Sequence, residues 1–277
     1  YVALGIKSRA CLAEGDWDGA FKAAKRVIDE GGYAVGTKSD LTSGMNSLDK
    51  QNVMWGAGIQ VADQAGGYAG FFTHMDNKEG AYAKSAPKLI SKQLYNRISA
   101  TDIRRDWWDP SDKESPYVSK KFSFANVASF LGDYIYMRVE EMYFTAAEAA
   151  LRLDDLKSAR ELMNTVMAER DPGYSANNRS GTLLGATTTT WTGSFLENIL
   201  THRRIELWGE YGRLFDVRRL GQGIDRRTDD GFSEECISMM NRRNVNITKA
   251  DTYDWVLTIP KAELDANPNI NEEDQNP

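Results

Sequence analysis

Two stretches of this sequence align with each other without gaps: Arg9-Ala-Cys-Leu-Ala-Glu-Gly-Asp-Trp-Asp-Gly-Ala-Phe-Lys-Ala-Ala-Lys-Arg-Val-Ile28 and Glu148-Ala-Ala-Leu-Arg-Leu-Asp-Asp-Leu-Lys-Ser-Ala-Arg-Glu-Leu-Met-Asn-Thr-Val-Met167, at an offset of 139 positions (148 − 9). Each stretch reads as a helix, a tight acidic turn and a second helix. In the second helix, apolar residues recur at i, i+3, i+4, i+7 and i+8, which places them on one side of an α-helix. These residues are Ala20, Ala23, Ala24, Val27 and Ile28 in the first copy and Ala159, Leu162, Met163, Val166 and Met167 in the second.

The turn inside each copy carries the signals of a helix start. Asp16 and Asp155 stand where an N-cap side chain accepts hydrogen bonds from the first free backbone N–H groups. The small Ala20 and Ala159 stand where two antiparallel helices cross closely. Helix spacing and the alanine match tetratricopeptide-type hairpins, although the full consensus of that repeat is absent.

A third hairpin is predicted near residues 195–220, with a second, shorter helix through Leu214, Phe215 and Val217. We therefore predict a mainly α fold of tetratricopeptide-like hairpins near 1–31, 138–170 and 195–220, in a single domain over residues 1–277. Long irregular loops and a few short strands complete it. The remaining predictions are a glycine-rich region over 31–83 with a short strand within 52–61, a helix over 88–99, a Gly/Ser/Thr-rich loop over 172–194, and irregular structure over 221–277 with a short strand at 255–259.

Composition excludes several classes of protein. The net charge of −6 argues against nucleic-acid partners, because binding to phosphate backbones depends on Lys and Arg. No run of about 18 apolar residues is present, so we expect no transmembrane helix. The two cysteines are too few for a disulfide framework. We expect Cys11 to be a small buried residue, and the sequence leaves undecided whether it forms a disulfide with Cys236. Because the chain opens directly into helical sequence, we expect it to be the C-terminal portion of a longer protein.

Nothing in the sequence has the pattern of a catalytic or metal site. His74 and His202 are the two histidines, and Gly-x-Ser-x-Gly, phosphate-loop and His-Glu-x-x-His motifs are absent. We predict no catalytic residues, no metal and no cofactor. A pair of carboxylates for glycoside hydrolysis stays open, because such pairs have no local signature and the chain has 40 acidic residues.

Charged residues interrupt the apolar helices at 138–150 and 203–219. One interpretation is a solvated helix face with i,i+4 pairs. The other is that Arg138, Glu148, Arg204 and Glu206, which stand beside apolar positions, form partly buried pairs that clamp neighbouring hairpins. Both interpretations are structural. We likewise expect His202, among Arg203 and other charged residues, to be solvated or ion-paired.

Aromatic residues in loops are the sharper functional signal. Sugars present C–H faces that stack on exposed rings, and their hydroxyls need short polar side chains nearby. A glycine-rich loop with clustered aromatics indicates such a surface, unless the rings pack inward; Trp107 and Trp108 are instead expected to anchor the core. The predicted ligand-binding residues are Tyr68, Phe71, Phe72, His74, Asp76, Asn77, Tyr82 and Trp191.

The order of short motifs along the chain resembles the SusD/RagB family. The matching stretches are Gly15-Asp-Trp-Asp-Gly-Ala20, Val53-Met-Trp55-Gly, Ala100-Thr-Asp-Ile-Arg104-Arg105, Tyr136-Met-Arg138-Val-Glu140-Glu-Met-Tyr143, Arg204-Ile-Glu206-Leu-Trp-Gly-Glu210, Phe215-Asp-Val-Arg218-Arg219 and Ile259-Pro260. The polar tail resembles the family's ending, with Glu272-Glu273-Asp274 as a departure.

This resemblance implies a non-enzymatic, SusD-like binding protein. Such proteins are lipid-anchored on the extracellular face of the outer membrane, and they deliver oligosaccharides to a SusC-like TonB-dependent transporter. We expect the lipid anchor to lie outside this chain. Two alternatives stay open, a peptide or glycopeptide ligand and a protein-interaction scaffold of helical repeats; a cryptic glycoside hydrolase ranks third.

Overall fold

The structure is a computed structural model, which describes residues 1–63, 69–179, 193–222 and 257–275. Within these residues the fold is mainly helical, as predicted. The helices are α1 (Val2–Glu14), α2 (Trp17–Glu30), α3 (Lys38–Leu41), α4 (Phe71–Met75), α5 (Ala81–Ser85), α6 (Lys92–Tyr95), α7 (Val139–Arg152), α8 (Leu156–Ala168), α9 (Phe195–Glu206), α10 (Arg213–Arg219) and α11 (Lys261–Ala266). The strands are β1 (Val53–Ala57), β2 (Trp108–Asp109), β3 (Val118–Ser119) and β4 (Tyr134–Arg138).

The two copies of the repeat form the two hairpins α1–α2 and α7–α8. The Asp16 side chain accepts a hydrogen bond from the Gly19 backbone N–H at 2.9 Å. In the second copy, Asp155 accepts one from Ser158 at 3.0 Å. The residues before these caps, Gly15 and Asp154, both adopt positive φ angles of 84° and 64°. The repeat therefore extends to the left-handed backbone position that ends the first helix of each hairpin.

Helix α7 lies at the centre of the helical core. It packs against α1, α2, α8 and α9, and 12 of its 14 residues are buried. Ala20 and Ala159 are both fully buried in the hydrophobic core. The four neighbouring helices cover α7 on most of its sides, which is why so few of its residues contact water.

Two short antiparallel strand pairs connect the loop regions to this core. Strand β1 pairs with β4, with Val53 opposite Arg138 and Ala57 opposite Tyr134. Strand β2 pairs with β3. Because β4 runs directly into α7, the β1–β4 pair holds the glycine-rich region at a fixed position beside the first turn of the central helix.

Two predicted elements differ from the structure. The helix expected over 88–99 is only the single turn α6: the Ser91 side chain caps its start, and after Tyr95 the N–H groups of Arg97 and Ile98 bond to the carbonyls three residues earlier. Its apolar residues, Leu94 and Ile98, pack around Trp107 and Trp108, which are 2% and 1% exposed. Residues 257–259 form no strand, and the rest of that predicted strand lies outside the described residues.

We expect Asp155→Ala to lower the free energy of unfolding by about 1 kcal/mol, because the first N–H groups of α8 lose their acceptor. Lys157→Ala is the matched control, since that side chain is 85% exposed on the same turn and should change stability little. Urea unfolding of both variants measures the difference. Equal midpoints for the two variants would show that the cap contributes nothing.

Candidate ligand-binding site

The charged helix blocks form a buried network around Glu206. Its carboxylate accepts hydrogen bonds from Arg104 at 3.1 Å, Arg138 at 3.0 Å and Arg170 at 3.0 Å. All four side chains are fully buried. Burial by itself would raise the pKa of Glu206, but the three guanidinium groups hold it well below its usual value.

The network continues through Glu210 to Lys121. Arg138 donates two hydrogen bonds to the Glu210 carboxylate, both of 2.8 Å. Lys121 donates to the same carboxylate and to the carbonyls of Glu206 and Trp208. Burial lowers the pKa of Lys121 to about 8, although Glu210 acts in the opposite direction. Each charge is thus matched by partners within the protein.

These contacts identify the charged blocks as structural clamps. Glu148 accepts from Arg219 at 2.7 Å, which ties α10 to α7. The clamp interpretation is confirmed for Arg138, Glu148 and Glu206, and the alternative of a solvated face is wrong for them. Arg204 is half-buried.

His202 belongs to the same interior and is not solvated. It is 8% exposed, and Arg104 donates a hydrogen bond to its Nδ1 at 2.8 Å. Burial and the Arg104 charge hold the pKa of His202 well below its usual value. The ring is therefore neutral, and the expectation of a solvated or ion-paired histidine is corrected.

The predicted aromatic segment divides into inward and outward residues. Phe72 is 2% exposed and packs against Phe124 and Tyr134, so it is a core residue. Its prediction as a ligand-stacking ring is corrected, because α4 turns this ring away from the surface. Phe71 is half-buried. Tyr68 and Trp191 lie outside the described residues.

The two predicted polar residues of this segment hold the backbone. Asp76 is 2% exposed and accepts hydrogen bonds from the backbone N–H groups of three residues. The prediction that Asp76 contacts the ligand is therefore wrong, because its carboxylate is enclosed by the protein. Asn77 donates to the Ser119 carbonyl at 2.8 Å and accepts from Lys88 N–H at 2.8 Å. Both residues therefore fix the loop that follows α4.

His74 and Tyr82 form the exposed part of the segment. Their rings stack with centroids 4.6 Å apart and planes inclined by 7°. Tyr82 is 41% exposed and His74 is also exposed. Helices α4 and α5 hold the two rings parallel, so the pair offers flat ring surface to solvent. We call it the ring platform.

A polar groove of about 700 Å³ adjoins the same segment. The charged pairs along this groove are loosely paired: the ammonium nitrogen of Lys84 lies 3.9 Å from a carboxylate oxygen of Glu79, and that of Lys120 lies 3.7 Å from one of Asp109. Exposed pairs of this kind are weak, so their polar atoms remain able to bind hydroxyl groups. Residues that line the polar groove include Asn77, Lys78, Glu79, Lys84, Asp112 and Lys120.

A second concavity, the aromatic cavity, has a volume of about 440 Å³. Trp55 of β1 and Tyr136 of β4 stand at its edge, 42% and 41% exposed, with ring centroids 5.1 Å apart. The sequence analysis did not single out these two as ligand-binding residues. The available signal was the i,i+2 spacing of Tyr134 and Tyr136, which places both on one face of a strand. The aromatic lining consists of Trp55, Phe71, Phe122, Tyr134, Tyr136 and Tyr211.

The described residues contain neither a metal-binding cluster nor a helix that could cross a membrane. Within 1–63, 69–179, 193–222 and 257–275, no three His, Cys, Asp or Glu side chains are grouped so as to hold a metal ion. In the same ranges no helix is both long and apolar enough to cross a membrane.

The chain is a scaffold of helical hairpins that carries two open concavities and a buried network of charged groups. The sequence profile of the SusD family matches residues 109–277. The chain belongs to the SusD family.

Solved structures agree with this assignment. A SusD-like carbohydrate binding protein from Bacteroides vulgatus is 29% identical, with a TM-score of 0.67 over 82% of this chain and 46% of its own. A SusD superfamily protein from Bacteroides thetaiotaomicron (23% identical, TM-score 0.74) and surface glycan-binding protein A from Bacteroides uniformis (17%, TM-score 0.65) each match over 99% of this chain and 60% of their own. The chain thus spans about half to three-fifths of the length of these relatives. No curated protein matches the chain.

Proposed function

We propose that this chain binds nutrient oligosaccharides at the ring platform and along the polar groove, without catalysing a reaction. The observation that carries the proposal is the exposed, parallel stack of His74 and Tyr82 beside a groove of weakly paired charged groups. Rings bind the C–H faces of sugars, and carboxylates and ammonium groups bind their hydroxyls. Two of the solved relatives carry carbohydrate-binding or glycan-binding names, which supports this ligand class.

The cellular setting follows from the family resemblance. We propose that the whole protein is lipid-anchored on the extracellular face of the outer membrane and delivers its ligand to a SusC-like TonB-dependent transporter. A gene for such a transporter is expected beside the gene for this chain. Co-purification of the two proteins from outer membranes would support the partnership. If the protein purifies without any transporter, this part of the proposal fails.

We expect Tyr82→Ala to weaken oligosaccharide binding about threefold to tenfold, because an aromatic stacking contact is worth about 0.5–1.5 kcal/mol. Titration calorimetry against a panel of polysaccharides measures the effect, and His74→Ala should act in the same direction. Phe215→Ala is the control, since that ring is 50% exposed on α10, stacks on Tyr211 and does not line the polar groove.

Four results would contradict the proposal. Unchanged affinity in both ring-platform variants would show that the ring platform is not the binding site. If no glycan in the panel binds, the proposed class of ligand is wrong. Binding of peptides or glycopeptides instead would favour the alternative nutrient class. Release of reducing sugar by the purified chain would show a hydrolase and so contradict the non-catalytic role.

A further inference from the structure

The two charged side chains in the lining of the aromatic cavity, Arg9 and Glu210, are paired within the protein. Arg9 donates two hydrogen bonds to Glu141, at 2.8 and 2.7 Å, and a third to the Tyr136 carbonyl at 2.7 Å. Its guanidinium also lies 3.7 Å from the centre of the Tyr211 ring. Both oxygens of Glu210 are bonded to Arg138, and one of them also to Lys121. An ionised ligand would lose its hydration in this cavity and would have to compete with these internal partners.

The volume and the lining of the aromatic cavity are suited to a compact apolar group of a ligand. A volume of about 440 Å³ lies in the range of small-molecule sites, and such sites are lined mainly by apolar and aromatic side chains. Met45 lies in the lining of the cavity with φ of 51°, a backbone conformation that non-glycine residues rarely adopt. Backbone outliers of this kind cluster at ligand-binding sites.

The aromatic cavity also lies next to the proposed glycan site. Phe71 lines the cavity, and His74 of the ring platform follows three residues later in α4. Residues three apart on a helix are neighbours, with Cβ atoms roughly 5–6 Å apart. Phe122 lines both the aromatic cavity and the polar groove. The aromatic cavity and the polar groove therefore meet at the Phe122 ring, so the cavity adjoins the groove in which the proposed ligand lies.

We propose that the aromatic cavity binds an uncharged aryl or acyl substituent carried by the glycan. This inference rests on the proposed function and names the ligand class more narrowly: a saccharide decorated with an apolar group. The substituent enters between Trp55 and Tyr136 and contacts ring faces, while the sugar lies on the ring platform. An unsubstituted saccharide leaves the cavity unused, and an uncharged substituent binds there more tightly than a charged one.

The test compares one oligosaccharide from the binding panel with its phenyl glycoside, by titration calorimetry. We expect the phenyl glycoside to bind about tenfold more tightly, because burying an apolar ring is worth more than one tenfold step. Trp55→Ala should abolish this gain and leave the affinity of the unsubstituted sugar unchanged. Tyr136→Leu, which keeps an apolar side chain in β4, is the second variant should Trp55→Ala unfold. Indole alone, observed by saturation-transfer NMR, should bind in competition with the phenyl glycoside.

Outcomes separate this inference from the proposed function. If both saccharides bind equally, and Tyr82→Ala weakens both while Trp55→Ala and Tyr136→Leu weaken neither, the inference is overturned and the proposed function stands. If neither saccharide binds, the proposed function fails and the inference fails with it. If indole binds elsewhere, with no competition by the phenyl glycoside, the inference is overturned as well.

Discussion

Glu206→Gln is expected to lower the free energy of unfolding by about 3–5 kcal/mol, the cost of leaving buried charges without their partner. Arg104, Arg138 and Arg170 all donate to this carboxylate, and none of the four side chains is exposed. Glutamine keeps the size of the side chain but removes its charge and replaces one acceptor oxygen by a donor. Guanidinium groups would then face one another across an uncharged amide.

The lowered pKa of Glu206 determines how the stability loss in Glu206→Gln changes with pH. The pKa of Glu206 in the folded protein lies well below the unfolded value of 4.5. Its stabilising contribution is therefore complete above pH 4.5 and is lost as the pH falls through the folded pKa. The stability deficit of Glu206→Gln should be constant near neutral pH and shrink in acid. Guanidinium chloride unfolding at several pH values measures it.

Glu161→Gln is the matched control for this substitution. Glu161 is 66% exposed and lies 3.9 Å from Lys157, so its replacement should cost less than about 0.5 kcal/mol. A Glu206→Gln variant that is as stable as this control would show that the network contributes nothing net to folding.

Phe72→Ala is expected to lower the free energy of unfolding by about 3–5 kcal/mol, through lost burial and the cavity that remains. The ring packs against Phe71, Phe124 and Tyr134. At Gly132 it approaches so closely that a Cβ atom there would meet the ring at 2.5 Å. The surroundings are thus shaped around this ring, and they cannot collapse fully when it is removed.

The experiment also separates the two roles that the sequence left open for Phe72. A core residue loses stability when truncated, whereas a ligand-stacking residue loses affinity and keeps its stability. Thermal unfolding of Phe72→Ala and Tyr82→Ala makes the comparison directly. We expect a large loss of stability in the first variant and little in the second, because Tyr82 is exposed. The reverse order would contradict the assignment.

Local signals predicted the helical hairpins well because each signal acts within a few residues. Asp16 and Asp155 cap the helices that follow them, and such a cap depends only on the next three backbone groups. The apolar spacing around Ala20 and Ala159 likewise reports one face of one helix. The length of α6 was predicted wrongly, because the apolar residues at 90–98 have helical spacing although they pack around Trp107 and Trp108 from a single turn and the loop beside it.

The binding surface could be predicted only in part. A cluster of aromatics in a glycine-rich loop indicated the segment that carries the proposed ring platform, yet the direction of each ring depends on neighbours far away in sequence. Phe72 points inward because Phe124 and Tyr134 surround it, and Tyr82 points outward beside His74. Trp55 and Tyr136 meet only when β1 pairs with β4.

The sequence by itself determined the repeat, its caps and the family, because these are written in spacing and residue type along a continuous chain. Only the tertiary structure decided which charges are clamps and which polar groups remain for a ligand. Glu206 is one of 40 acidic residues, and nothing local distinguishes it. Its role arises when three arginines from separate elements converge on it and exclude water.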